Sequence, residues 1–167
     1  MLKPEWRNLK DLADKNFDGV PVVPGVYFLR WARRGKPVPV GRLGNRDPKG
    51  ILYVGSGELK RRVRNLWNAI TKGRRVHTVG KTVIFCKIFE IINPDEYEVS
   101  WEKLKGREAS EGEEWAALKL YCDKYKEPPP LNLAIRRKMF GVVGIAEVGK
   151  SRVAYEPDAF VRSIIDS

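Results

Sequence analysis

The sequence has few of the residues that build disulfides and metal clusters. Its 167 residues include two cysteines and one histidine, and Cys86 and Cys122 lie far apart. Because no Cys or His cluster has zinc-ligand spacing, a zinc-finger class of protein is excluded. Both cysteines fall among apolar residues, which predicts that they are buried, reduced core residues.

Long apolar runs are also missing. No segment approaches the roughly 18 consecutive apolar residues that a membrane span needs. The first residues carry Lys3, Glu5 and Arg7 and no apolar core, so we predict no signal peptide. Hydrophobic residues make up 43% and charged residues 32% of the chain, which is typical of a folded domain. The sequence therefore predicts a cytoplasmic protein with no membrane partner.

Acidic residues are outnumbered by basic ones. There are 32 Lys and Arg against 21 Asp and Glu, which gives a net charge of +11. A positive charge of this size favours a polyanionic partner. We expect that partner to be DNA, with RNA as the alternative; protein partners cannot be read from the sequence.

Two short blocks stand out in the apolar segments. Val26 begins a predicted strand over 26–31 and follows Gly25 in the block Gly25-Val26-Tyr27. A second predicted strand, over 51–54, carries the block Tyr53-Val54-Gly55. Between them, residues 33–50 are rich in glycine, proline and arginine, which indicates a loop or an irregular hairpin.

Helical and extended patterns divide the rest of the chain. Apolar residues recur on one face over 58–71, which predicts an amphipathic helix. The apolar run 82–92 reads as a third strand, and the acidic stretch 95–127 reads as mostly helical, with a firmer helix over 113–126. Pro128 and the two prolines after it stop that helix. Shorter helices are predicted near the ends, over 4–15 and 157–165.

The order of these motifs resembles the GIY-YIG nuclease family over about residues 22–135. The resemblance implies an α/β fold with a small three-stranded antiparallel sheet flanked by helices. It also implies phosphodiester hydrolysis with one divalent ion, Mg²⁺ or Mn²⁺. Residues 1–21 and 136–167 are then N- and C-terminal extensions, and 33–50 is an insertion. The open alternative is the same fold binding nucleic acid without cutting it.

The resemblance assigns roles to particular residues. It implies that Tyr27 and Tyr53 position or deprotonate the attacking water, their pKa lowered by nearby cations. Arg62 would hold the scissile phosphate and Glu114 the metal. Three further positions would shape the site, namely Gly25, Gly55 and Asn132. His77 could act as a proton shuttle or contact phosphate or solvent.

Helix geometry supports Arg62 and Glu114 independently. At about 100° per residue, Arg62 lies about 60° from Leu59 and flanks the buried face of its helix. Arg61 and Arg64 point further away, although a register slip to either remains open. The same count places Glu114 inside the apolar arc of the acidic helix, which comprises Trp115, Leu118 and Tyr125. Glu113 falls on the solvated side, and Glu111 is the alternative ligand.

Further basic residues are candidate DNA contacts. Around the basic helix and the loop after it these are Arg61, Arg64, Lys72, Arg74 and Arg75. In the insertion they are Arg42 and Arg46, for which a solvated loop is an equally good interpretation.

The segment from Gly144 to Ser151 matches the phosphate-loop pattern. That motif needs a helix N-terminus after it. Because Pro157 follows so closely, we interpret the segment as a basic turn.

Overall fold

The computed structural model describes residues 4–72, 78–132 and 156–166. It is a mixed α/β structure with antiparallel sheets flanked by helices. The strands are β1 (Arg7–Asn8), β2 (Pro24–Arg33), β3 (Lys36–Pro37), β4 (Val40–Gly41), β5 (Arg46–Asp47), β6 (Ile51–Glu58) and β7 (Tyr97–Lys103). The helices are α1 (Leu9–Asp14), α2 (Leu59–Lys72), α3 (Thr78–Phe85), α4 (Arg107–Tyr125) and α5 (Ala159–Ile165), with short 3-10 turns at Ile88–Glu90 and Pro94–Glu96.

The main sheet is built around β2. Strands β6 and β7 both pair with β2 in antiparallel register, and β1 adds to the outer edge of β7. The sheet has five strands, with β3 joined to the end of β2. The predicted class is therefore confirmed, but the sheet is larger than the predicted three strands. The extra strands come from the N-terminal extension and the insertion.

Helices cover both faces of the sheet. Side chains alternate between the faces of a strand, so Val26 and Phe28 pack under α4 and α5, whereas Tyr27 and Leu29 pack under α2 and α3. Helix α2 buries Leu59, Val63 and Leu66 on the second face, as its amphipathic pattern predicts. None of the helices in the described ranges has the length and apolar character needed to cross a bilayer.

The third central strand does not come from the predicted segment. Residues 78–85 form α3, and Val79 and Val83 are buried at helical spacing. The strand prediction over 82–92 is wrong because Ile84 and Phe85 are apolar but exposed, which hides that spacing. Strand β7 instead lies within 95–127, a stretch that its acidic composition made appear helical.

The structure also differs from the predictions in smaller details. The predicted helix over 4–15 is shorter: α1 begins at Leu9, where the Asn8 side chain accepts hydrogen bonds from the backbone N–H groups of Lys10 and Asp11. Cys86 is exposed rather than buried, whereas Cys122 is partly buried. The phosphate-loop segment lies outside the described residues.

The insertion is anchored to the end of α4. Arg42 forms an ion pair with Glu127 at 3.1 Å, and its guanidinium donates to the Pro128 carbonyl at 2.5 Å. Its side chain is buried, so the prediction that Arg42 contacts DNA is wrong. Arg46 is exposed at the far strand of the same hairpin.

Glu102, near the end of β7, gives the fold a pH dependence. Burial raises its pKa to about 8, and Asp158 and Glu113 add to the rise. Above the ordinary value of 4.5 the unfolded chain releases this proton while the folded protein keeps it. Stability should therefore fall as the pH rises from about 4.5 to 8.

We expect Glu102→Gln to flatten this dependence. Each pH unit of the window is worth at most about 1.4 kcal/mol, and solvent screening reduces the loss to about 1–2 kcal/mol in all. Urea unfolding at pH 5 and pH 8 measures it, with the exposed Glu111→Gln as the control. Equal slopes for the wild type and Glu102→Gln would contradict the burial of this carboxyl.

Candidate active site

The two motif tyrosines lie side by side on the α2 face of the sheet. Tyr27 in β2 pairs with Gly55 in β6, and Tyr53 lies two positions before Gly55 on the same face. Their ring centroids are 6.0 Å apart. A Cβ atom on Gly55 would lie 2.6 Å from the Tyr27 hydroxyl and 2.7 Å from Cε1 of Tyr53. Gly55 therefore makes the space that both rings occupy.

We predict that Gly55→Ala disrupts this arrangement. Because the clashes involve two buried rings, one of them must move, and overpacking of this kind costs about 1–3 kcal/mol. The expected result is a lower free energy of unfolding in urea. Gly41→Ala is the control, because its Cβ would have open space. A Gly55→Ala variant as stable as the wild type would contradict the tight packing.

Arg62 reaches the same place from α2. The helix begins immediately after β6, and Gly57, the next-to-last residue of that strand, has a φ of +124°. A Cβ on Gly57 would lie 3.2 Å from Cγ of Arg62, so the arginine side chain crosses this glycine. Its Nε is buried with no hydrogen-bond partner in the described part of the chain. Arg61 and Arg64 are exposed, so the structure favours Arg62 over a register slip.

Glu114 approaches from α4, on the opposite side of the sheet. Its carboxylate accepts a hydrogen bond from the Ser56 hydroxyl. Ser56 is buried and follows Gly55 directly, so its side chain points to the α4 face while the tyrosines point to the α2 face. The motif comparison missed Ser56 and Gly57. Both residues follow Gly55 directly, at the end of the strand that leads into α2. This position in the sequence is the signal that could have found them.

The neighbouring carboxylates on α4 have other roles. Glu111 is exposed and pairs with Arg107 at 2.6 Å, so it is not placed as the alternative ligand. Glu113 was expected on the solvated side, and this is wrong. It is buried, and it accepts a hydrogen bond from the backbone N–H of Asp158 at 2.7 Å. The segment that leads into α5 covers Glu113, a position that the pattern of α4 alone predicts to be exposed.

The tyrosine hydroxyls are held neutral by their surroundings. Burial raises the pKa of Tyr27 above its ordinary value, and the Arg62 guanidinium only partly opposes the rise. Burial, Tyr27 and Glu114 raise the pKa of Tyr53 well above its ordinary value. For both tyrosines burial therefore outweighs the Arg62 guanidinium. The expected lowering of their pKa values by cations, a bound metal ion among them, stays a prediction. The Tyr27 hydroxyl is buried beside Arg62 and Tyr53 but makes no hydrogen bond of ordinary distance to a described residue.

Gly25 and Asn132 support the site from its edges. A Cβ on Gly25 would lie 2.1 Å from the Glu102 carbonyl oxygen and 2.8 Å from Leu59, so only glycine permits this packing. The Asn132 side chain accepts from the Val54 N–H at 2.9 Å and donates to the Val54 carbonyl at 2.8 Å. It thereby closes the free edge of β6 beside Tyr53, and its predicted role in the site stays a prediction.

The remaining predicted DNA contacts fall into two groups. Arg61, Arg64 and Lys72 lie exposed along α2 and can reach a ligand there. Arg74, Arg75 and His77 lie outside the described residues.

The donor set suits a hard divalent cation. Across 4–72, 78–132 and 156–166, no three carboxylate, thiol or imidazole groups come together as a metal-binding cluster. Glu114 nevertheless supplies one carboxylate, which accepts the Ser56 hydrogen bond and is close enough to Tyr53 to raise its pKa. Mg²⁺ needs only one or two carboxylates, because waters and phosphate oxygens complete its shell. Glu114 is thus the residue that would hold the ion.

Comparison with known proteins adds no relative: no family model, curated protein or solved structure matches this chain.

Proposed function

We propose that this chain is a divalent-metal-dependent endonuclease that hydrolyses phosphodiester bonds in DNA, in the manner of the GIY-YIG nucleases, and acts in the cytoplasm. One observation carries the proposal. Tyr27, Tyr53 and Arg62 meet at the Gly55–Gly57 end of β6, and Glu114, which accepts the Ser56 hydrogen bond from the other face of the sheet, is close enough to affect the pKa of both tyrosines. Two of them present buried polar atoms without a partner in the described chain, namely the Tyr27 hydroxyl and Arg62 Nε.

The arginine suits a phosphodiester. Attack on the phosphorus adds negative charge to oxygens that are already anionic, so a fixed cation lowers the barrier. The guanidinium of Arg62 is charged at any physiological pH, and the neighbouring Tyr27 raises its pKa further. Its planar fork donates two parallel hydrogen bonds to phosphate oxygens. We therefore assign Arg62 to the scissile phosphate.

The tyrosines suit the attacking water. A neutral Tyr27 hydroxyl both donates and accepts a hydrogen bond, so it can hold and orient a water beside the phosphate. Tyr53 packs against Tyr27 and limits its movement. Tyr27, whose hydroxyl has no other partner in the described chain, is the better candidate for this role.

Glu114 and Ser56 complete the chemistry. A divalent cation bound there would supply positive charge to the phosphate and make water more acidic. The Ser56 hydrogen bond fixes the Glu114 carboxylate in one orientation, which a metal ligand requires.

The choice of substrate follows from what surrounds the site. Exposed basic residues on α2 can contact the sugar–phosphate backbone, which carries no sequence information. In the described ranges no helix is presented as a separate recognition element, so we propose cleavage that depends on DNA structure, as in repair, recombination or mobile elements.

A panel of labelled substrates tests the proposal. Duplex, single strand, flap, four-way junction and RNA are incubated with Mg²⁺, Mn²⁺ or EDTA. We expect cutting of at least one DNA with metal and none with EDTA. Binding without cutting under every metal would reject the nuclease in favour of a module that only holds nucleic acid.

A further inference from the structure

One surface outside the active site is unusually apolar. Ile84, Phe85, Phe89 and Ile91 are exposed within a stretch of α3 and the turn after it, and we call these four residues the Phe85 patch. The Phe85 side chain is 90% exposed. Large apolar side chains gathered on a surface mark a binding site more often than chance exposure.

The patch lies on the same face of the sheet as the tyrosines. On its inner side, α3 buries Val79 and Val83 in the core cluster that also contains Tyr27 and Tyr53. Helix α3 also packs against α2, which carries Arg62 and the exposed Arg61 and Arg64. A ligand that follows α2 from the site can therefore reach the patch.

Charge decides which ligand fits. Lys81 and Lys87 are exposed in the same segment, Lys81 three residues before Ile84 and Lys87 between Phe85 and Phe89. Lys87 is only loosely paired, with its Nζ 3.8 Å from Glu90. The net charge of +11 disfavours a second copy of the same chain and favours a polyanion. Aromatic rings next to lysines are the combination that binds single-stranded nucleic acid, where bases stack on rings and cations hold phosphates.

We propose that the Phe85 patch binds unpaired bases of the DNA substrate, with Phe85 and Phe89 as stacking platforms. This inference rests on the proposed function, and it specifies the substrate as DNA with a single-stranded region. Paired bases keep their faces inside the duplex and cannot stack on these rings. The patch therefore selects for single-stranded DNA over duplex.

Binding measured without metal separates this inference from cleavage. Fluorescence anisotropy in EDTA compares a labelled single strand with a duplex of equal length. We expect Phe85→Ala/Phe89→Ala to weaken single-strand binding on the order of tenfold or more and to change duplex binding less than about twofold. Phe85→Trp/Phe89→Trp should retain single-strand affinity. Leu43→Ala is the matched control, because Leu43 is 82% exposed on the separate β4–β5 hairpin.

Several results would overturn the inference. Unchanged single-strand affinity in the double alanine variant would do so, as would an equal loss for both DNAs. So would a double variant that loses only its binding to phosphatidylserine vesicles, or only its self-association on size-exclusion chromatography. If the wild type cuts no DNA but these binding differences hold, the nuclease proposal fails and the stacking surface stands. If the wild type cuts DNA but these binding differences are absent, the nuclease proposal stands and the stacking surface fails.

Discussion

Arg62→Ala is expected to reduce DNA cleavage on the order of 100-fold or more, since removing one preorganised donor to a developing anion costs about that much. The Arg62 side chain crosses Gly57 and presents a buried Nε with no partner in the described chain, so its charge is directed into the site. The effect should fall mainly on the rate at saturating DNA, because Arg62 acts on the reacting phosphate. Single-turnover cleavage measures it.

The neighbouring arginine provides the control. Arg61→Ala removes the same charge from an exposed side chain that pairs weakly with Glu58 at 3.9 Å. We expect it to weaken DNA binding a few-fold and to leave the single-turnover rate nearly unchanged. Arg62→Lys should recover little activity, because lysine keeps the charge but lacks the planar fork. Equal rates for Arg61→Ala and Arg62→Ala would contradict the assignment.

Asp47→Ala is expected to lower the free energy of unfolding by about 3 kcal/mol or more, because it leaves several buried donors unpaired. Asp47 is fully buried at the end of the insertion. Its carboxylate accepts hydrogen bonds from the backbone N–H groups of Lys49 and Ile51, both at 2.8 Å, and from the Tyr121 hydroxyl at 3.0 Å. One carboxylate thus joins the insertion, β6 and α4.

Urea unfolding measures this loss. Asp123→Ala is the matched control, because Asp123 lies exposed on α4 and its carboxylate pairs with Lys119 at the surface. Exposed pairs of this kind contribute about 0.5 kcal/mol or less. A variant at position 47 that is as stable as the one at position 123 would show that the insertion is not anchored in this way.

The sequence predicted those elements in which pattern and burial agree. Strands β2 and β6 and helix α2 appear where their apolar residues indicated, because those apolar residues are buried in the core. The segment that contains the second half of helix α3 was predicted as a strand, and the segment that contains strand β7 was predicted as mostly helical. In α3 the exposed Phe85 made the segment look uniformly apolar, and in β7 the acidic residues concealed the alternation of Tyr97 and Val99.

The candidate site was predictable to the extent that it follows the motifs. Tyr27, Tyr53, Arg62 and Glu114 do approach one another, although their roles stay predictions. Contacts between distant segments could not be predicted from local pattern. The C-terminal segment buries Glu113, and Glu127 buries Arg42, because tertiary contacts decide which charged side chains remain exposed.

The most direct test of the account compares Glu114→Ala with Glu111→Ala. The two residues lie on the same helix and each variant removes one carboxylate, but only Glu114 accepts the Ser56 hydrogen bond beside the tyrosines. Both variants and the wild type are incubated with the best DNA of the panel in Mg²⁺ and in Mn²⁺, and folding is checked by circular dichroism. We predict that Glu111→Ala cuts like the wild type and that the folded Glu114→Ala does not cut. Metal-dependent cutting by Glu114→Ala would contradict the account.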